Sequence, residues 1–87
     1  MLHNLTLHTD SGHGWLEVPA GSLFDLGIAG KVSRYSYVKG SNVYLEEDRD
    51  AGLYLAALTS RGDAYDITEN YQEHSPIRNY VHFELEA

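Results

Sequence analysis

The segment that decides the fold spans residues 33–62 and reads SRYSYVKGSNVYLEEDRDAGLYLAALTSRG. Aromatic and β-branched residues dominate positions 35–38 and 43–45, and such residues suit a pleated, half-buried surface. Residues 39–42 lie between these runs and have the composition of a hairpin loop. The segment therefore begins with two antiparallel strands.

A helix is predicted directly after this hairpin. Beyond Leu45 the apolar residues recur at steps of three and four, which is the helical period. The positions that follow this period are Ala51, Tyr54, Leu55 and Leu58. Asp48 or Asp50 could cap the first turn, and Gly62 could end the helix in a left-handed conformation. We expect this helix to pack back on the hairpin.

Four carboxylates occupy five positions between the second strand and the helix. They are Glu46, Glu47, Asp48 and Asp50. The positive end of the helix dipole favours acids in the first turn, by about 0.3–1 kcal/mol each. That effect accounts for one or two acids, whereas four repel each other. The cluster therefore indicates a function beyond capping.

Composition limits the classes of protein to consider. The chain has 87 residues, a net charge of −7 and no cysteine. We expect one domain, residues 1–87, and no enzyme or cofactor, because the length leaves little room for a catalytic core. The absence of cysteine excludes a disulfide scaffold, thiolate catalysis and cysteine-based zinc sites. The negative charge argues against direct binding to nucleic acid or anionic membranes.

Alternating patterns flank the central segment. We predict strands over residues 2–8, 15–18, 64–71 and 78–85, and a short helix over residues 20–26. In the last strand, Val81, Phe83 and Leu85 are expected to point inward. Gly12 and Gly14 suggest backbone angles that other residues avoid. Together these patterns predict an α+β fold with a mainly antiparallel sheet of five or six strands, one main helix and one short helix, the helices lying on one face.

The first turn offers an alternative function. His8, Asp10 and His13 could bind a metal or a small ligand, because imidazole and carboxylate groups suit zinc, nickel or iron. Their spacing matches no motif of known geometry. The competing interpretation is a glycine-rich turn whose polar side chains bond to the backbone.

The tyrosines offer a second alternative. They are Tyr35, Tyr37, Tyr44, Tyr54, Tyr65, Tyr71 and Tyr80. Aromatic platforms for single-stranded nucleic acid lie in positive grooves, whereas the six lysines and arginines of this chain are scattered. Core edges or a tyrosine-rich protein-interaction surface therefore fit the pattern better.

Further acids extend the acidic cluster along two predicted strands. They are Asp63, Asp66, Glu69 and Glu73 in one segment, and Glu84 and Glu86 in the other. Carboxylates two residues apart on one face of a strand lie roughly 7 Å apart, a spacing of the same order as that of neighbouring phosphates. Rows of such acids could present a phosphate-like pattern to a basic groove.

Four segments of the chain form a recognisable pattern. They read GHGWLEVP at residues 12–19, YSY at 35–37, YLEED at 44–48 and PIRNY at 76–80. This pattern resembles a family of small proteins from phages and other bacterial mobile elements, which includes an anti-CRISPR protein that acts on type I systems. The likeness extends over nearly the whole chain. Family members tend to hold cysteine at the position of Arg49, and the arginine makes this segment less acidic.

The resemblance implies a non-enzymatic inhibitor that mimics DNA and blocks target-DNA binding by a type I CRISPR surveillance complex, with type I-C as the expected subtype. The residues expected to replace phosphates are Glu46, Glu47, Asp48, Asp50, Asp63, Asp66, Glu69, Glu84 and Glu86. We expect the protein to act as a monomer in the cytoplasm of the bacterial host, since the sequence has no leader pattern and no apolar run of roughly 20 residues. It would bind the protein complex through its basic groove, with no direct contact to nucleic acid or membrane.

Overall fold

The computed structural model describes residues 1–84 and has the predicted α+β architecture. The strands are β1 Leu2–Thr9, β2 Gly14–Pro19, β3 Tyr37–Lys39, β4 Asn42–Glu46, β5 Ala64–Tyr71 and β6 Val81–His82. The α-helices are α1 Ala20–Asp25 and α2 Asp50–Ser60, and 3-10 helices span Ala29–Lys31 and Pro76–Asn79. Within the described residues, neither α-helix combines the length and the apolar character needed to cross a membrane.

All six strands form one sheet in the order β5-β1-β2-β4-β3-β6. Every neighbouring pair is antiparallel except β1 and β5, which are parallel. The exception follows from the connection, because α2 carries the chain from β4 across the sheet to β5. A helical crossover returns the chain in its original direction and so produces a parallel strand. The sheet is therefore mixed but mainly antiparallel, as predicted.

Both α-helices pack on the same face of the sheet. Leu23 of α1 and Tyr54 and Leu58 of α2 are buried in one cluster with Val43 and Leu45 of β4. The residues of β4 alternate between the faces, as the period of a strand requires. The helical face thus forms the main core, and the predicted helical positions Ala51, Tyr54 and Leu58 are buried in it.

The C-terminal 3-10 helix covers part of the other face. Its Ile77 is buried together with Trp15 of β2 and Tyr44 of β4, and the partly buried Tyr37 and Tyr80 pack against them. This second, smaller core is rich in aromatic rings. It places the segment after β5 against the centre of the sheet.

Two glycines have the positive φ that their turns require. Gly40 has a φ of 61° at the first central position of the two-residue turn between β3 and β4, where type II′ hairpins place glycine. Gly62 has a φ of 83° just after α2 and supplies the predicted left-handed stop. The expectation of unusual angles at Gly12 and Gly14 is wrong, since neither has a positive φ.

The predicted strand over residues 78–85 is largely wrong. The hydroxyl of Ser75 accepts a hydrogen bond from the amide of Ile77, and Pro76 begins a 3-10 helix that ends at Asn79. Proline favours the first turn of a helix, because its φ is already fixed near the helical value. Only Val81–His82 forms a strand, and Val81 is 72% exposed instead of inward. Phe83 is buried as predicted; Leu85 lies outside the described residues.

Candidate functional site

One row of residues crosses four strands and shows where the acidic segments lie. The strand register aligns Glu46 with Trp15, Trp15 with His8, and His8 with Asn70. Three inter-strand steps separate β4 from β5, roughly 14 Å at about 4.8 Å per step. The turn after β4 and the carboxyl end of β5 therefore lie at the same end of the sheet. We call it the acidic end, and it comprises Glu46, Glu47, Asp48 and Glu69.

The turn between β4 and α2 exposes Glu47 and Asp48. The amide of Glu47 donates to the carbonyl of Gly14 at 2.9 Å, and the amide of Asp48 donates to Oε1 of Glu46 at 3.0 Å. Gly14 leaves room for the Glu47 side chain, because a Cβ on Gly14 would meet that carboxylate. These contacts hold the turn against β2, so both carboxylates are displayed from a defined position.

The structure contradicts the predicted roles of Asp50. Its side chain is 0% exposed, and Oδ2 accepts hydrogen bonds from the amide of Ser33 at 3.0 Å and from the hydroxyls of Ser33 and Ser36 at 2.6 Å each. The N-cap residue of α2 is Arg49, and no side chain caps the helix. Neither Asp48 nor Asp50 is therefore the cap. Asp50 joins the segment before β3 to the start of α2 and cannot replace a phosphate at the surface.

Asp63 is also withdrawn from the predicted acidic surface. Oδ2 lies 2.7 Å from Nη2 of Arg61 and 2.9 Å from Nε2 of His3, and Oδ1 lies 3.5 Å from the N-terminal amine. The hydrogen bonds from His3 and Arg61 hold the pKa of Asp63 well below its usual range. The guanidinium of Arg61 compensates the charge of Asp63, and the contacts with His3 and the N-terminal amine link the start of β1 to the loop after α2.

The remaining predicted acids lie on different faces. Asp66 and Glu69 are exposed on β5, but Glu69 is on the helical face, beside Leu7, and Asp66 is on the opposite face. Strand β5 thus contributes one carboxylate to each face. Glu84 is exposed, and its Oε1 lies 3.6 Å from Nε of Arg34. Glu86 lies outside the described residues.

The side chains of two candidate metal ligands in the first turn, His8 and Asp10, have other partners. Oδ1 of Asp10 accepts hydrogen bonds from the amides of Gly12 and His13, both at 2.9 Å, and the ring of His8 lies 2.7 Å from a β2 glutamate. The first turn is therefore the glycine-rich turn of the competing interpretation, in which the side chain of Asp10 bonds to the backbone. Within residues 1–84, no three histidine or carboxylate side chains lie close enough together to hold a metal ion.

Asp10 forms a second set of contacts with Arg78. Nε and Nη2 of Arg78 donate to Oδ2 and Oδ1 of Asp10 at 2.6 and 3.0 Å. Hydrogen bonds from Arg78 and from the amide of Gly12 hold the pKa of Asp10 well below its usual range. The guanidinium also lies over the ring of Trp15, 5.4 Å from its centroid. This pair therefore fastens the C-terminal 3-10 helix to the first turn.

A cleft of about 400 Å³ opens beside the acidic end. Its walls include Trp15, Tyr35, Tyr37, Glu46, Asp48 and His82. Tyr37 stacks on His82 with ring centroids 4.5 Å apart, and Tyr35 is 69% exposed at the edge. The cleft was not predictable from the sequence, because its walls depend on the pairing of β3 with β6. The sequence signal for the cleft was the Tyr-Ser-Tyr alternation of residues 35–37, which leads into β3.

A scan of family models, a search of curated proteins and a search of solved structures each returned no match to this chain.

Proposed function

We propose that the protein is a non-enzymatic inhibitor that mimics DNA and occupies the basic DNA-binding groove of a type I CRISPR surveillance complex, with type I-C as the subtype to test first. It would act in the cytoplasm of the bacterial host. The pattern of residues 12–19, 35–37, 44–48 and 76–80 motivates the choice of target. The arrangement of carboxylates motivates the mode of action.

The observation that carries the proposal is the position of the acidic end. Of the nine predicted acids, five are at least partly exposed and have no salt bridge within residues 1–84. They are Glu46, Glu47, Asp48, Asp66 and Glu69. The strand register brings four of them to one end of the sheet. Arg49 is exposed in the same turn, so the acidic end has an excess of negative charge over one arginine. A basic groove would attract such an excess.

The spacing of these acids is compatible with duplex DNA. The two acidic segments lie roughly 14 Å apart across the sheet, and the major groove of DNA is about 12 Å wide between its two phosphate rows. The carboxylates of the segment after β4 would replace phosphates of one row, and the carboxylate of Glu69 would replace a phosphate of the other row. Asp66 lies roughly 13 Å before Asn70 along β5, at about 3.3 Å per residue.

The proposal is tested by DNA competition. Purified type I-C surveillance complex is bound to labelled target DNA, and wild-type protein is expected to displace the DNA. The double variant Glu47→Gln/Asp48→Asn should need at least about tenfold more protein for the same displacement, because two charge-assisted contacts are weakened.

A matched control separates local charge from net charge. Asp25→Lys changes the net charge by as much as the double variant does. Asp25 is the last residue of α1, and α1 starts at the opposite end of the sheet, where Pro19 aligns with Asn42. The control should displace DNA like the wild type. Equal loss in both proteins, or no loss in the double variant, would contradict mimicry by the acidic end.

A second candidate function is a protein-interaction module centred on the aromatic cleft. The observation that favours it is the exposure of Tyr35 beside Trp15 and the stacked pair of Tyr37 and His82. Exposed aromatic rings in a cleft are common anchors at protein interfaces. Binding through this cleft should persist at high salt and be lost in Tyr35→Ala; salt-sensitive binding that survives this substitution would exclude it.

A further inference from the structure

The edge of β5 is the longer of the two open edges of the sheet. Strand β5 spans eight residues, all of them exposed, and its one neighbour in the sheet is β1. The opposite edge strand, β6, has two residues. Long edge strands with free amides and carbonyls are templates for pairing with another chain.

The hydrogen-bond pattern shows which backbone groups face outward. The amide of Ala64 donates to the carbonyl of Met1, and the amide of Gln72 donates to the carbonyl of Thr9. In a parallel ladder, the residues that bond to the neighbouring strand alternate with residues that face away. Even-numbered residues of β5 therefore bond to β1, and the odd-numbered residues offer four amides and four carbonyls to the open edge. The odd-numbered residues are Tyr65, Ile67, Glu69 and Tyr71.

The side chains around this edge add apolar area and negative charge. Ile67 is 42% exposed and Tyr71 is 58% exposed. The exposed acids of residues 62–77 are Asp66, Glu69 and Glu73, and this range contains no lysine or arginine. A second copy of the chain would bring the same acids against Asp66 and Glu69, and like charges on paired strands are destabilising. A cationic strand would meet complementary charge instead.

We propose that the open edge of β5 binds an extended segment of a partner protein that carries lysine or arginine on both faces, by adding it to the sheet as a further strand. Main-chain hydrogen bonds to the odd-numbered residues of β5 hold the segment. The acids of β5 select for its positive charge. This mode of binding goes beyond the occupation of a DNA groove, because it uses backbone groups and not the acidic turn after β4.

Amide exchange measured by NMR tests the pairing residue by residue. The probe is a blocked peptide of repeated Lys-Lys-Val-Val, about as long as β5, which has lysines on both faces of an added strand. In the free protein, the odd-numbered amides of β5 should exchange quickly and the even-numbered ones slowly. At saturating peptide, exchange of the odd-numbered amides should slow by at least about tenfold. A peptide with glutamate in place of each lysine should leave their exchange unchanged.

Two outcomes of this experiment would overturn the proposal. The first is unchanged exchange of the odd-numbered amides with the cationic peptide. The second is that these amides are protected in the absence of peptide and that this protection increases with protein concentration. That result would identify a second copy of the chain as the occupant.

A pair of substitutions at one position separates backbone pairing from side-chain contact. Ile67→Pro removes an outward amide and should abolish the peptide-induced protection, whereas Ile67→Ala keeps the amide and should retain most of it. Equal loss in both would assign binding to the side chain and contradict strand addition. Slow exchange of the even-numbered amides in Ile67→Pro verifies that β5 still pairs with β1. If these amides exchange quickly in that variant, Tyr71→Pro and Tyr71→Ala repeat the comparison at the end of the strand.

These variants also keep the two proposals distinct. Each of them retains every carboxylate of the acidic end. Ile67→Pro should therefore displace DNA as well as the wild type does. Glu47→Gln/Asp48→Asn should displace DNA poorly but keep the peptide-induced protection of β5.

Discussion

Asp48 and Asp50 are two residues apart, yet they belong to opposite parts of the molecule. Asp48 is exposed in the turn after β4, whereas Asp50 is fully buried and accepts three hydrogen bonds from Ser33 and Ser36. The same chemical group thus stabilises the fold at one position and is available for binding at the other. The cluster of acids in the sequence does not show which of them is buried, because the partners of Asp50 lie 14 and 17 residues away in the chain.

The largest expected effect is on Asp50. Asp50→Ala leaves one partly buried amide and two hydroxyls without their acceptor, which should lower the free energy of unfolding by about 3 kcal/mol. Asp50→Asn keeps an acceptor oxygen and should cost less, although its amide group would occupy the place of Oδ1, which has no hydrogen-bond partner within residues 1–84. Urea denaturation measures both. A loss below about 1 kcal/mol in Asp50→Ala would show that the hydrogen bonds of Asp50 do not hold the fold.

The next effect concerns Asp10 and depends on pH. The folded protein holds the pKa of Asp10 below its usual value, so the stability that Asp10 contributes is present above the unfolded pKa of about 3.9 and is lost as the pH falls towards the lower, folded value. Asp10→Asn should therefore lower the urea midpoint most at pH 7.

The two proteins should converge as the pH falls below the unfolded pKa of Asp10. A difference between wild type and Asp10→Asn that stays constant down to strongly acidic pH would contradict a role for the ion pair with Arg78. Asp63 has a lowered pKa for similar reasons and is intact in both proteins, so it does not contribute to the difference.

The features predictable from sequence are those that depend on neighbours in the chain. The β3-β4 hairpin, helix α2 and its stop at Gly62 follow from local period and turn chemistry. The burial of Tyr54 and Leu58 follows from the helical period as well. In each case the residues that determine the structure lie within one or two turns of each other.

The features that sequence missed depend on distant partners. Alternation predicted β5, but not that it would lie parallel to β1 at an exposed edge. Ser75 and Pro76 begin a 3-10 helix that includes the first two residues of the strand predicted over residues 78–85. The aromatic cleft requires His82 to stack on Tyr37, and the prediction of separate strands could not supply that pairing.

The smallest expected effect is on stability when the exposed acids are changed. Glu47→Gln/Asp48→Asn should change the free energy of unfolding by no more than about 0.5 kcal/mol, because these side chains are exposed and lack salt bridges in the described part of the chain. Thermal and urea denaturation check this. A large loss would mean that the acidic turn is a structural element like Asp50.

The salt dependence of binding tests the central claim most directly. The affinity of the protein for type I-C surveillance complex is measured at about 50 and 200 mM salt, for wild type and for Glu47→Gln/Asp48→Asn. We predict that wild-type affinity falls by at least about tenfold over this range, because the acids and the basic groove attract each other through solvent that salt screens. The variant should bind more weakly than the wild type at about 50 mM salt, and its affinity should fall by a smaller factor when the salt concentration is raised to about 200 mM. A wild-type affinity that does not respond to salt, or a variant with the same affinity and the same salt dependence as the wild type, would contradict mimicry of DNA by the exposed acids.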